Sequence, residues 1–262
     1  MNILVELKRL AWRKLPLAQR HRILDGVQRA LPAPLFRGFM HCVGGGVYRQ
    51  EVRDSGVLFI HIPKTAGTSV ARGLYGIDGV GHYKAVDARR LNPALFGRLY
   101  RFSITRNPWE RLLSAYRFAL QGGTDDVILH NHDFYKPFAG KTFEHFVLDW
   151  LLHQDPRRLD PIFTPQVHYV CDDQGRLLVD MLYDIGDLAK AERDLSARLR
   201  RPIAIGRSNA TGTMERMFEH HYRDPDVLAA VGHYYADDVR RFGYAFPLAD
   251  SAAAEAAPLS LK

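Results

Sequence analysis

The sequence predicts an α/β fold of three layers, in which a central, mostly parallel sheet is flanked by helices. Two short apolar runs, at residues 57–62 and 100–105, are rich in β-branched and aromatic side chains, which is typical of buried strands. A helical pattern follows each run. Strands that alternate with helices form βαβ units, and these units build parallel sheets. A chain of 262 residues is long enough for one such domain.

Each element has a local justification. Pro63 ends the first run, and a helix is expected to open after it, with Lys64, Gly67, Thr68 and Ser69 at its start. Asn107 is a typical N-cap and Pro108 a typical first helical residue, so a helix begins directly after the second run. The apolar side chains of that helix recur at helical spacing and are expected in the core: Trp109, Leu112, Leu113, Tyr116 and Leu120. The later pattern predicts helices at residues 142–153, 187–199 and 226–241, and strands at residues 181–185 and 202–205.

The net charge of +7 is concentrated at the N-terminus. Residues 1–53 contain ten Lys or Arg and three Asp or Glu, whereas acidic and basic residues balance in the rest of the chain. A neutral body argues against a nucleic-acid-binding domain. The composition therefore divides the chain into a basic, helical N-terminal segment (1–53), a folded domain (54–248) and an Ala-rich tail that is expected to fray (249–262).

Cysteine content and hydropathy indicate the compartment. The chain contains only two cysteines, Cys42 and Cys171, so a disulfide framework is excluded and a reducing cytoplasm is expected. No apolar run reaches about 18 residues, and the N-terminus lacks a signal-peptide pattern. Leu and Trp alternate with basic residues between Leu4 and Leu17, so the segment is a candidate for peripheral contact with the inner face of the membrane. A basic helix packed on the domain is the alternative.

The loop after the first strand is the most informative motif. Its residues are Pro63, Lys64, Thr65, Ala66, Gly67, Thr68 and Ser69. A glycine that allows close approach, free N–H groups at a helix N-terminus, hydroxyl donors and a lysine together make a cradle for an anion. The motif is P-loop-like but departs from GxxxxGK[ST], because Lys64 precedes Gly67 by three residues. ATP chemistry with magnesium is therefore a poor fit.

A second anion site is predicted at the end of the second strand. Arg106 stands at the carboxyl end of that strand, and Ser114 lies about two turns into the following helix. Ligands of open parallel sheets bind outside the carboxyl ends of the strands. Two anion sites on neighbouring strand ends indicate a nucleotide with two separated phosphate-type groups. Arg111 is interpreted as a surface or packing residue.

With these two motifs in order, the chain resembles the sulfotransferase superfamily, in the branch of the carbohydrate sulfotransferases (sulfotransferase family 2 type), over about residues 56–246. Further features are similar to the family: Phe163 to Gln166, Val179-Asp180, Tyr183 to Leu188, Asn209 and Asp237 to Tyr244. The resemblance implies that residues 64–69 bind the 5′-phosphosulfate of 3′-phosphoadenosine 5′-phosphosulfate (PAPS), and that Arg106 and Ser114 bind its 3′-phosphate. It also implies a carbohydrate acceptor, release of 3′,5′-adenosine bisphosphate (PAP) and no required metal.

The same resemblance suggests catalytic roles. Lys64 is expected to neutralise charge on the leaving phosphate oxygen, and His82 is expected to act as the base that takes the acceptor proton. His130 and His132, in a polar loop, are the alternatives for the base, and His61 is interpreted as a packed core residue. The pair Asp237-Asp238 is read as surface charge on a helix.

Acceptor-binding loops are expected between residues 122 and 165, where Phe134, Tyr135, Lys136 and Lys141 suit sugars and acidic groups. Two rival functions stay open from the residues alone. One is a nucleotide-dependent phosphotransferase with a degenerate P-loop, and the other is a non-catalytic protein that binds membranes or polyanions through residues 1–53. The oligomeric state is left open.

Overall fold

The computed structural model describes residues 46–124, 127–129, 132–154, 160–206, 218 and 220–246, together with a few isolated positions between 23 and 35. The strands of this part are β1 (Val57–Ile60), β2 (Tyr100–Thr105), β3 (Gly123–Thr124), β4 (Val127–Ile128) and β5 (Met181–Asp184). The main sheet has the order β1-β2-β5 and both of its pairings are parallel, while β3 and β4 form a short antiparallel pair. The predicted parallel α/β architecture is thereby confirmed.

Helices flank the sheet. They are α1 (Gln50–Ser55), α2 (Gly67–Tyr75), α3 (Ala85–Leu91), α4 (Pro93–Arg98), α5 (Pro108–Gln121), α6 (His132–Tyr135), α7 (Phe143–His145), α8 (Val167–Val170), α9 (Leu188–Leu199), α10 (Pro225–Tyr234) and α11 (Ala236–Phe242). None of the helices in the described part of the chain is both long and apolar enough to cross a membrane.

The alternation of side chains along β1 builds the three layers. Val57 and Phe59 pack with residues of α2 and α9 on one face, whereas Leu58 and Ile60 pack with α3, α4 and α8 on the other. The second cluster also contains Val47, Tyr48 and Val52, and the Tyr48 hydroxyl donates to the Ala88 carbonyl at 2.7 Å. Both faces of the sheet are therefore covered, as the continuous apolar run of β1 predicts.

A third, aromatic cluster lies beside the sheet. It joins the apolar side of α5 to α7, α10 and the residues around Phe163. Trp109, Leu112, Leu113 and Tyr116 are all buried there, which confirms the packing face predicted for α5. Asn107 caps that helix, because its side chain accepts from the Trp109 N–H at 3.2 Å.

Several elements differ from the pattern-based prediction. The helix at residues 142–153 is α7 followed by a π-turn (Phe146–Trp150) and a 3₁₀ turn (Leu151–His153). The helix at 226–241 is broken at Tyr235 into α10 and α11. The prediction of a strand at residues 202–205 is wrong. The N–H groups of Ile203 and Ile205 are bound by the side chains of Ser196 and Glu192 on α9, not by a neighbouring strand.

The end of the described chain closes over the carboxyl ends of β2 and β5. The Tyr244 hydroxyl lies 2.8 Å from Thr105 Oγ1 and hydrogen-bonds the Asp184 carboxylate. The Asn107 side chain donates to the Ala245 carbonyl at 2.7 Å. We call residues 244–246 the C-terminal strap, since they tie the end of the fold to the strand edge where ligands of parallel sheets bind.

Candidate active site

The turn between β1 and α2 holds two non-glycine residues in the left-handed region, Lys64 (φ 70°) and Ala66 (φ 63°). Such conformations cost about 1–3 kcal/mol each and cluster at ligand-binding sites. Thr65 is fully buried between them, and its hydroxyl donates to the Ile62 carbonyl at 2.8 Å. The hydroxyl of Thr65 is therefore used within the turn. The predicted contact of Thr65 with an anion would have to be made by its backbone N–H.

The N-terminus of α2 has no side-chain cap. The first helical bond runs from the Val70 N–H to the Ala66 carbonyl at 3.1 Å, which leaves the N–H groups of Gly67, Thr68 and Ser69 without an intrahelical acceptor. Ala66 occupies the cap position and offers no oxygen. The longer helices α5, α9 and α10 are capped by Asn107, Asp187 and Asp224. The start of α2 is therefore the one among these four that is open to an external anion.

Lys64 is the centre of a cluster of positive charge. Its Nζ lies 4.0 Å from the centroid of the Phe118 ring. Burial, together with the neighbouring charges of Arg106 and Arg117, lowers the pKa of Lys64 to about 8. Within the described residues, neither Lys64 nor Arg117 forms an ion pair with a carboxylate. Converging cations, two of which have no carboxylate partner among the described residues, indicate a site for an anionic ligand.

The backbone of Arg106 is clamped by a buried glutamine. The Arg106 N–H donates to Gln166 Oε1 at 2.9 Å, and Gln166 Nε2 donates back to the Arg106 carbonyl at 2.8 Å. The Arg106 guanidinium is oriented by Glu110, which accepts from Nε at 3.2 Å. Because Nε is used in this way, the two terminal nitrogens of Arg106 are left to meet a ligand.

Asp238 anchors the clamp in turn. Its carboxylate accepts from the N–H groups of Gln166 and Val167, both at 2.8 Å. Asp238 is fully buried, and this burial raises its pKa. The interpretation of Asp238 as surface charge is therefore wrong. The side of α11 that carries Asp238 faces the core, and only the neighbouring Asp237 lies on the exposed side.

The face of α5 that carries Ser114 looks toward the turn. Ser114, Arg117 and Phe118 are spaced three and four apart and so share one face of the helix. Phe118 contacts Lys64, which fixes the direction of that face. Arg117 was not among the residues predicted for the site. Its helical spacing from Ser114 was the signal that could have found it.

His82 lies against the same turn. Its Nδ1 is 3.3 Å from the His61 carbonyl, and since a carbonyl only accepts, Nδ1 carries the hydrogen and Nε2 keeps its lone pair. The side chain reaches solvent, but desolvation by the surrounding protein lowers the pKa of His82 below its ordinary value. The hydrogen bond to the His61 carbonyl acts in the opposite direction, whereas the charge of Lys64 lowers the pKa further. His82 is thus neutral at pH 7 in the tautomer that a base requires.

His61 connects His82 to the turn. The two imidazole centroids are 4.3 Å apart, and the His61 ring also stacks on Phe59 at 5.5 Å. On its other side the ring covers Gly67, where an added Cβ would lie 1.6 Å from His61 Nε2. His61 is a packed residue, as expected, but it packs between the candidate base and the candidate phosphate turn.

With this geometry established, comparison with known proteins gives a family. A family model described as the sulfotransferase family matches residues 52–245. The chain belongs to the sulfotransferase family. Neither the curated proteins nor the solved structures include a match to the chain.

The matched residues contain β1, β2 and β5, the turn after β1 and the Gln166 clamp, so the anion cluster lies inside the sulfotransferase domain. Membership supports sulfotransfer as the activity in general terms. The resemblance predicted from the Lys64 and Arg106 motifs is confirmed at the level of the family.

His132, one of the alternatives to His82 as the base, packs at the end of α5. His132 Nε2 lies 3.2 Å from the Leu120 carbonyl, and the ring packs on Gly122 at the end of α5. His130 and the family-like Asn209 lie outside the described residues. His82 is the one of the described candidates that the structure brings into contact with the residues flanking the turn.

The region predicted for acceptor binding is partly core. Tyr135 is 2% exposed and packs in the aromatic cluster, so it is not available to stack on a sugar. Phe134, Lys136 and Lys141 are exposed. Arg111 is fully buried and donates to the carbonyls of Ile162 and Thr164, which agrees with a packing role.

Proposed function

We propose that the protein transfers a sulfuryl group from PAPS to a hydroxyl group of a carbohydrate. The observation that carries the proposal is the uncapped start of α2 facing Lys64, with Arg106 and Arg117 close by and no carboxylate paired to Lys64 in the described residues. This arrangement offers anion donors at the ends of two neighbouring parallel strands, β1 and β2. It therefore suits a nucleotide that carries both a 5′-phosphosulfate and a 3′-phosphate.

The residues present fit such a donor. The N–H groups of Gly67, Thr68 and Ser69 and the Lys64 ammonium would hold the phosphosulfate. The terminal nitrogens of Arg106 and the Ser114 hydroxyl would hold the 3′-phosphate, and we add Arg117 to this set. PAPS supplies, when bound, a sulfuryl group on a phosphate leaving group.

The protein's own groups then perform three tasks. His82 Nε2 accepts the proton of the acceptor hydroxyl as its oxygen bonds to sulfur and the bond from sulfur to the phosphate oxygen breaks. Lys64 and the N-terminus of α2 stabilise the negative charge that develops on that phosphate oxygen. The His61 carbonyl accepts from His82 Nδ1–H and so leaves Nε2 free to take that proton.

The test is a comparison of PAP with ATP and magnesium by isothermal calorimetry, followed by transfer from radiolabelled PAPS to a panel of saccharides. We expect PAP to bind and ATP with magnesium to bind weakly or not at all. Lys64→Ala should weaken PAP binding at least about tenfold, because it removes a charge-assisted contact. Lys190→Ala is the matched control, since Lys190 is an exposed cation on α9 that pairs with Asp194.

Preference for ATP with magnesium would support the phosphotransferase alternative and overturn the proposal. For the base, His82→Gln should abolish transfer while PAP binding is kept. Transfer by His82→Gln at nearly the wild-type rate would exclude His82 as the base. Loss of PAP binding after removal of residues 1–45 would instead favour a binding function seated in the N-terminal segment.

A further inference from the structure

The imidazole of His61 has no part in the chemistry proposed above, although it lies directly against the candidate base. Its ring centroid is 4.3 Å from that of His82, with an angle of 44° between the two ring planes. The same ring also fills the place that a Cβ would occupy on Gly67, the buried first residue of α2. The His61 ring therefore contacts both the candidate base and the uncapped start of α2.

The position of the His61 ring is fixed from the core of the sheet. His61 follows β1 directly, and its ring stacks on that of Phe59, two residues earlier on the same face, at 5.5 Å. The Phe59 ring stacks in turn on Phe102 of β2, at 5.0 Å. Because Phe59 and Phe102 are both buried, this row of three rings ties His61 to the core.

A side chain that only filled space at this position would not need to be histidine. Within the described part of the chain, Nδ1 of His61 is buried and has no hydrogen-bond partner, which costs stability. Burial, together with the charges of His82 and Lys64, lowers the pKa of His61 well below its ordinary value, so the ring is neutral at pH 7. Three of the ring atoms lie within 2.2 Å of the place of a Cβ on Gly67, so a longer six-membered ring would extend into the backbone of α2. The position thus holds a short, planar and uncharged ring at a cost in stability.

Two contacts with His61 define the orientation of His82. The Nδ1–H group of His82 donates to the His61 carbonyl at 3.3 Å. One hydrogen bond leaves an imidazole free to turn about the N–H···O axis, whereas contact of its ring with a second group removes this freedom. Since His82 also reaches solvent, the side of its ring away from His61 is the side that is open to an acceptor.

We propose that His61 is a positioning residue for the reaction, whose ring fixes the plane of the His82 imidazole and keeps water out of the space between that imidazole and the start of α2. The inference rests on the proposed function of His82 as the base. Exclusion of water on this side accounts for desolvation as the largest cause of the low pKa of His82, which is about 4. Because the His61 ring is uncharged, it does not repel the positive charge that His82 gains with the acceptor proton.

The first test follows the ring nitrogens of the intact protein by ¹⁵N NMR as the pH is changed, and His82→Gln identifies the signals of His82. In the wild type these signals should not titrate above about pH 5, because the pKa is about 4. In His61→Ala water enters beside the ring, so the pKa of His82 should rise by at least about one unit toward the ordinary 6.5. Lys64, the other titratable group that acts on His82, is intact in this variant.

Two further variants serve as the comparison. His61→Leu restores a similar apolar volume against His82 and should keep the pKa of His82 near the wild-type value. His233→Ala removes an exposed histidine from α10 and should leave this pKa unchanged. PAP affinity should stay within about twofold of wild type in all three variants, because none of these side chains is in the proposed donor site.

The second test is sulfuryl transfer with saturating PAPS and the saccharide of the panel that is sulfated fastest. His61→Ala should lower kcat about ten- to a hundredfold, since misplacement of a catalytic group by about 1 Å costs up to about a hundredfold. Between pH 7.5 and pH 6 the rate of this variant should fall about fourfold further, as expected for a base with a pKa near 6.5, while the wild-type rate stays level. His61→Leu should keep the level pH profile but not the full kcat, because leucine lacks the planar ring.

The outcomes separate this inference from the proposed function. If His61→Ala lowers the melting temperature but leaves the pKa of His82 and the pH profile unchanged, His61 only packs and the inference is overturned. If His61→Ala does not fold, His61→Leu decides, and a wild-type kcat in that variant overturns the inference as well. If His82→Gln transfers at nearly the wild-type rate, or PAP does not bind, the proposed function fails first, and the NMR titration still shows whether His61 shields His82.

Discussion

Replacing Gly67 with alanine places a methyl group inside the His61 imidazole. The added Cβ would lie 1.6 Å from Nε2, 2.0 Å from Cδ2 and 2.2 Å from Cε1. Carbon atoms in contact are normally about 3.5–4.0 Å apart, so the ring must move by roughly 2 Å. The ring is held between Phe59 and His82 and cannot simply swing aside. We therefore expect Gly67→Ala to destabilise the fold by about 1–3 kcal/mol, the usual cost of overpacking.

The size of this effect can be measured and assigned to His61 by a double-mutant cycle. At about 2 kcal/mol, the melting temperature of a domain of this length should fall by about 4–8 °C. In a His61→Ala background the clash is absent. Gly67 begins a helix without a positive φ, so alanine should then be neutral or stabilise by about 0.5–1 kcal/mol. Thermal and urea unfolding of the four proteins in the cycle give the coupling energy.

A matched control uses another glycine on α2. The Cβ of Gly73→Ala would meet the Ala204 carbonyl oxygen at 2.1 Å, far from His61, so His61→Ala should not rescue it. An equal cost of Gly67→Ala in both backgrounds would refute the packing argument. PAP binding by the Gly67→Ala/His61→Ala protein supplies a second answer. Binding at wild-type strength would show that glycine is needed at position 67 to make room for the His61 imidazole. Loss of binding would show that it is needed for close approach of the ligand.

Three further predictions follow from the site. Since the pKa of Lys64 is about 8, its protonated fraction falls about tenfold between pH 7 and pH 9, and PAP affinity measured by calorimetry should fall in parallel. The Lys64→Met variant should bind PAP weakly, with an affinity that does not change over this pH range. If the affinity of that variant still falls with pH, the pH dependence belongs to another group. Arg117→Ala removes a like charge, so it should weaken PAP binding about tenfold and move the midpoint of the pH dependence above 8; an unmoved midpoint contradicts the proximity of the two cations. Gln166→Ala leaves the N–H and carbonyl of Arg106 unpaired and should cost about 2–4 kcal/mol in urea unfolding, whereas Gln154→Ala, which loses a single bond near the surface, should cost under about 1 kcal/mol. Equal losses for the two glutamines would mean that the clamp does not stabilise the strand end.

Elements with a local signal could be predicted from the sequence. The bounds of β2 and the start of α5 follow from an apolar run that ends at Asn107 and Pro108, and both are observed as predicted. The run at residues 202–205 has the same apolar character, but it lies against α9, where side chains rather than a strand satisfy its N–H groups. Residue pattern alone does not distinguish these two environments.

The candidate site shows the same division. Lys64 and Arg106 stand directly after strands, so their approach follows from the topology of a parallel sheet. Gln166 is 60 residues from Arg106, and Asp238 is 72 residues from Gln166. No local sequence pattern indicates a contact at such a separation. The pairing of His61 with Gly67 was hidden for another reason. A glycine at the start of a helix after a strand is readily interpreted as allowing close approach of a ligand. That interpretation accounts for the glycine without its packing against the preceding strand.

The C-terminal strap has a consequence for biosynthesis. The strap and Asp238 are among the last parts of the domain to leave the ribosome, yet they brace Thr105, Asn107 and the Gln166 clamp on Arg106. Because a chain is made from its N-terminus, the sheet and the turn after β1 are present in a nascent chain well before their braces. We expect a stalled chain that ends before residue 236 to lack an ordered form of the site that we propose for the 3′-phosphate. Binding of the proposed donor would then begin only when synthesis of the domain is nearly complete.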